Sequence, residues 1–67
     1  PYRPAMDDEL WTADDLSDFL KVPKATLYNW NYLRVGPRPL KIGRHLRWWK
    51  SEVIDWVNEQ RLPSWPD

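Results

Sequence analysis

Lys24, Ala25, Tyr28, Asn29 and Tyr32 recur at the spacing of one helical face, and Lys41, Arg44, His45 and Arg47 follow around Gly43. Apart from Ala25, these residues share a chemistry, donation to anions and to the edges of bases. Asn pairs with adenine through two bonds, Lys donates to guanine or phosphate, and a tyrosyl hydroxyl donates to phosphate. The wider segment fits them. Between Lys21 and Lys50 stand eight Lys/Arg and no Asp or Glu, with Thr26 and Asn31 interleaved. The acids lie outside it: Asp7, Asp8, Glu9, Asp14, Asp15 and Asp18 before, and Glu52, Asp55, Glu59 and Asp67 after. A formal net charge of zero therefore conceals a dipolar chain whose cationic segment would attract a phosphate-lined partner. The competing reading is a solvated surface charge run.

Other chemistries fit less well. The chain has no Cys, which removes disulfides and thiolate metal sites and suits a reducing, intracellular location. His45 is the only histidine, and one His with scattered carboxylates is too few ligands for a metal. Phosphate contact and plain exposure both fit it. No nucleophile stands beside a base, and 67 residues leave no room for a sizeable substrate pocket, so no enzyme and no cofactor is expected. No apolar run approaches the roughly 20 residues of a membrane span, and no signal-peptide pattern occurs.

The elements that must position the donors are short. Thr12 followed by Asp15 predicts a helix start, with Asp14 and Asp15 favoured there by the helix dipole. Leu16, Phe19 and Leu20 supply its apolar stripe. Lys21-Val22-Pro23 breaks that helix, with Val22 plugging the turn. A second helix from Lys24 buries Leu27 and Trp30 and ends near Val35, where Gly36 and Pro37 stop it. Leu40-Lys41-Ile42 and Leu46-Arg47-Trp48 read as a hairpin joined by Gly43-Arg44-His45, with Leu40, Ile42, Leu46 and Trp48 inside and Lys41 and Arg47 outside. Ser51 is the expected N-cap of a third helix that buries Val53, Trp56 and Val57.

The expected architecture is thus mainly α with a small β-hairpin, a winged helix-turn-helix over residues 10–60. Residues 1–9 form a flexible N-terminal segment, in which those before Met6 are expected to be a non-native remnant, and residues 61–67 form a Pro-rich tail. Trp30, Trp48 and Trp56 belong to the core; Trp11 and Trp49 suit either core or partner surface, and Trp65 either core or partner.

Leu10-Trp11-Thr12, Phe19-Leu20-Lys21-Val22-Pro23, Thr26-Leu27-Tyr28-Asn29-Trp30, Gly36-Pro37-Arg38, Lys41-Ile42-Gly43-Arg44, Arg47-Trp48 and Val53-Ile54-Asp55-Trp56-Val57 together resemble the excisionase/AlpA-type helix-turn-helix family, small relatives of MerR-type DNA-binding domains. The similarity runs from Leu10 to Val57, with Thr-Leu-Tyr-x-Trp and Ile-Gly-Arg its most specific parts. It implies a second helix in the major groove and a wing in the adjacent minor groove, contacting DNA through Lys24, Ala25, Tyr28, Asn29, Lys41, Arg44 and Arg47. It also implies a recombination directionality factor that bends attachment-site DNA, with an integrase partner, cooperative self-association on DNA and a bacterial cytoplasm as its setting. A small transcriptional regulator of the same fold is the nearest alternative, and a protein-interaction module docking an acidic partner a more distant one. The chain departs from the family where Gly, Ser and Arg are common, at Lys21, Pro23 and Asn29.

Overall fold

The computed structural model describes residues 7–62, so Trp65 and the tail beyond Leu62 lie outside the described residues. Six elements follow in order: β1 (Leu10–Trp11), α1 (Ala13–Leu20), α2 (Lys24–Leu33), β2 (Leu40–Ile42), β3 (His45–Trp49) and α3 (Lys50–Asn58). The result is a small α+β fold in which three helices pack with a three-stranded antiparallel sheet of order β1-β3-β2. The sheet holds one strand more than the hairpin expected from sequence. β1 was illegible because two residues cannot display an alternation.

α1 begins as its sequence dictates. The Thr12 hydroxyl accepts from the Asp15 amide at 3.1 Å, and the Asp15 carboxylate accepts from the Thr12 amide at 3.0 Å, closing a capping box. The helix ends on Lys21 in the left-handed region (φ 59), with its amide and that of Val22 both donating to the Ser17 carbonyl. The Ser17 hydroxyl donates to the Val22 carbonyl at 2.5 Å, fixing the three-residue turn. Left-handed backbone costs a non-glycine residue about 1–2 kcal/mol, partly offset in glycine by its larger folding entropy. Lys21→Gly is accordingly expected to stabilise the domain by about 0.5–1 kcal/mol in a urea melt. A lower midpoint would show that the lysine stem contributes more than the strain removes.

The centre of the fold is Leu16, Leu27, Trp48 and Val53, with Trp11, Ala13, Leu20, Val22, Trp30 and Leu46 packed around it. Trp48 is only 2% exposed, and its indole N–H donates to the Pro37 carbonyl at 3.2 Å. Trp30 and Trp56 are half-buried and meet at 5.5 Å between ring centroids, tilted by 48°. Phe19 departs from the expected stripe: it is exposed and packs on Trp11 at 4.8 Å. Val57 is likewise exposed rather than buried.

The hairpin differs from expectation in a way that matters for the site. Ile42 pairs with His45, Lys41 with Leu46 and Leu40 with Arg47, so the connection is the two residues Gly43-Arg44, and His45 belongs to the strand. Directly opposed residues share a face. Removing one residue from the connection therefore turns one strand over relative to the other. Lys41 lies on the side of Leu46 and Trp48, whereas Leu40 and Ile42 share the other side with His45, Arg47 and Trp49. The expected division, with Lys41 and Arg47 together outside, is overturned. Gly43 (φ 62) followed by a negative φ at Arg44 has the signs of a II′ turn, one of the two types that suit a two-residue hairpin.

α3 is capped from a distance. Its N-cap is Trp49, with no side-chain cap of its own, and Ser51 lies inside the helix. The Asp8 carboxylate accepts from the Ser51 amide at 3.0 Å and from the Ser51 hydroxyl at 2.7 Å, while the Lys50 amide donates to the Glu9 carbonyl at 2.9 Å. An acid from the N-terminal segment thus occupies the position that the helix dipole and the free first-turn amides favour. Local sequence could not show a cap lying 43 residues away.

Candidate nucleic-acid interface

α2 buries only Leu27 and half-buries Thr26 and Trp30, leaving Lys24, Ala25, Tyr28, Asn29 and Tyr32 exposed. At 3.6 residues per turn these five span an arc of about 140°, a continuous surface strip. Tyr28 is 52% and Tyr32 83% exposed, far more than aromatic rings held by a core. The helix is held from behind by Leu27 in the core and in front of it by the α1 turn. Its N-cap is Pro23, in extended backbone (φ −63, ψ 149) with no side-chain capping bond. This is one position before the first helical residue, where the missing proline amide leaves the helical ladder intact.

Lys24 is not an isolated cation. Its ammonium lies 2.8 Å from an Asp14 carboxylate oxygen of α1 and is the one side-chain ion pair among the described residues. The hydrogen bond that Lys24 donates to Asp14, then the charge of that carboxylate, raises the Lys24 pKa above the ordinary 10.5. The ammonium is therefore charged throughout the neutral range. A raised folded-state pKa adds stability below the unfolded value and loses it as pH climbs through the folded one, so the lysine gives up its side of the pair only in alkali. Both partners are well exposed, so salt and competing phosphates weaken the pair. Reading Asp14 only as a helix-start acid missed this pairing, which the turn creates by folding α1 back beside α2.

The hairpin presents its donors differently. Arg44 sits exposed at the tip beside Gly43, where an added Cβ would meet nothing within 4 Å. His45 and Lys41 are exposed, but on opposite faces by register. Arg47 is half-buried and turns back to donate from Nη1 to its neighbour's carbonyl, Leu46 O, at 2.8 Å. Of the four expected wing donors, Lys41, Arg44 and His45 are exposed and Arg47 is not. Arg47 must leave a backbone contact before it reaches a partner.

Among the described residues no group of three or more His, Cys, Asp or Glu gathers to hold a metal, and no helix is long and apolar enough to cross a membrane. A surface groove of about 550 Å³ is lined by Glu9, Leu10, Trp11, Asp15, Asp18 and Phe19 and so carries the opposite charge to α2. No protein-family model, curated protein or solved structure matches this chain.

Proposed function

We propose that the chain is a sequence-specific DNA-binding protein of winged helix-turn-helix type, with α2 as the reading helix and the β2–β3 hairpin as the wing. The observation that carries this reading is the exposed strip of α2: a lysine, two tyrosines and an asparagine on one arc, with the core contacts of the helix on the other side. A helix about 10–12 Å across fits a major groove about 12 Å wide. The order α1, three-residue turn, α2, hairpin, α3 supports the same reading, as does the exposed tip bearing Arg44.

Within that class, the resemblance to excisionase/AlpA-type proteins favours a directionality factor that bends attachment-site DNA and recruits an integrase, working in a bacterial cytoplasm. The chain itself would perform no chemistry. Footprinting on DNA adjoining its own gene tests the proposal: a protected site that resists excess bulk duplex is expected, and uniform weak binding would refute sequence recognition. Adding a cognate integrase and an attachment-site plasmid then separates the two roles. Stimulated excision identifies a directionality factor; none, with binding intact, identifies a small transcriptional regulator.

A further inference from the structure

A second basic feature lies beside the reading strip. Asn31, Arg34, Val35, Gly36, Pro37, Arg38 and Pro39 line a groove of about 410 Å³ at the C-terminal end of α2, and no carboxylate lines it. Arg34 and Arg38 are exposed and form no ion pair among the described residues. The loop that carries them is fixed by three constraints. The Arg34 and Val35 amides donate back to the last turn of α2, at 3.2 Å to Asn31 O and 2.9 Å to Trp30 O. Gly36 (φ 82) packs so tightly on Trp30 that a Cβ there would lie 2.8 Å from the ring. Pro37 is buried and accepts the Trp48 indole.

Arg34 occupies left-handed backbone at φ 60, in a helix-ending position that glycine fills at lower cost. Arginine gives up stability there, and it lines a groove that no carboxylate lines. The helix C-terminus is itself electronegative and repels anions, so the two guanidiniums must supply the attraction. Asn31 lines the groove and lies one helical turn beyond Tyr28, which places the groove beside the C-terminal end of the reading strip.

We infer that Arg34 and Arg38 form a phosphodiester clamp, gripping the DNA backbone where it leaves the major groove at the C-terminal end of α2. The inference rests on the proposed DNA binding and adds a backbone contact outside both the α2 strip and the wing. Planar guanidiniums suit the bidentate geometry of phosphate oxygens. Such contacts set register and affinity without reading sequence.

The test is the salt dependence of binding to the footprinted duplex, from 50 to 300 mM potassium chloride. Arg34→Gln and Arg38→Gln should each flatten the slope of log affinity against log salt by about one, and weaken binding about five-fold at 0.15 M, with the preferred site unchanged. Arg34→Gly separates function from folding. It relieves the backbone strain, so its melting temperature should hold or rise while the slope still falls. Unchanged slopes in folded variants of a chain that binds DNA would overturn the clamp alone. A parent chain that binds no duplex would overturn the DNA reading and the clamp with it. Weaker binding confined to one base step would recast the arginines as base readers and also refute the clamp.

Discussion

Trp48→Ala is expected to abolish cooperative folding, a flat urea profile replacing a sigmoidal transition. Trp48 is the largest member of the buried cluster with Leu16, Leu27 and Val53, residues drawn from α1, α2 and α3. Its strand position faces Trp11 across the sheet, and its indole N–H is bonded to Pro37. Truncating a buried tryptophan costs about 3–5 kcal/mol in lost transfer energy and residual cavity. A single core in a chain of this size rarely supplies more than about 3–5 kcal/mol in all. The loss therefore matches the whole stability. Trp48→Phe keeps a six-membered ring but removes the five-membered ring with its N–H, leaving a smaller cavity and the Pro37 carbonyl without that donor, at a cost of about 1–3 kcal/mol. It should remain folded with a lower midpoint. An alanine variant that still melted cooperatively near the parental midpoint would show that Leu16, Leu27 and Val53 suffice without the indole.

The helices were largely readable because their signals are local. Thr12 and Asp15 lie within one turn, and Val22 lies within the turn it plugs, so capping and packing chemistry could be read at fixed offsets. Lys24 to Tyr32 fell on the exposed side because Leu27 and Trp30 set the phase of α2. What escaped depends on partners distant in sequence or on a count of one. Asp8 finds Ser51, and Leu10 finds Trp49, only after the chain has closed. In the hairpin the alternating pattern of each strand was legible, but their relative phase depended on whether His45 belonged to the turn. That one residue decided which face received Lys41. Left-handed Lys21 and Arg34 were hidden for a related reason: neither is glycine, so residue type gave no sign of positive φ. The departure from glycine at Lys21 pointed to strain only through comparison with a family pattern.

Replacing Lys24, Tyr28 and Asn29 together by alanine should collapse specific DNA binding to the level of bulk duplex, a loss of about a hundred-fold or more, while leaving the melting curve nearly in place. All three are exposed, so truncation removes little core contact and opens no cavity. Each direct base contact is worth about 1–3 kcal/mol of discrimination, and specific binding usually exceeds non-specific binding by at least about a thousand-fold. The triple variant attacks that margin rather than the general attraction of the wing and loop cations, so weak, salt-sensitive binding should persist. Asp14→Asn provides the opposite control. It frees Lys24 from its 2.8 Å partner and removes an anion next to the reading strip, so binding should tighten, by about two- to five-fold if the pair behaves as exposed pairs do. The gain must vanish when Lys24 is already alanine, since both substitutions act on one contact. Tightening that survives without Lys24 would instead mark a general reduction of negative charge. Retained protection of the specific site by the triple variant would remove α2 as the reader. The surviving contacts would then have to come from the hairpin tip, where Arg44 and His45 are the exposed donors.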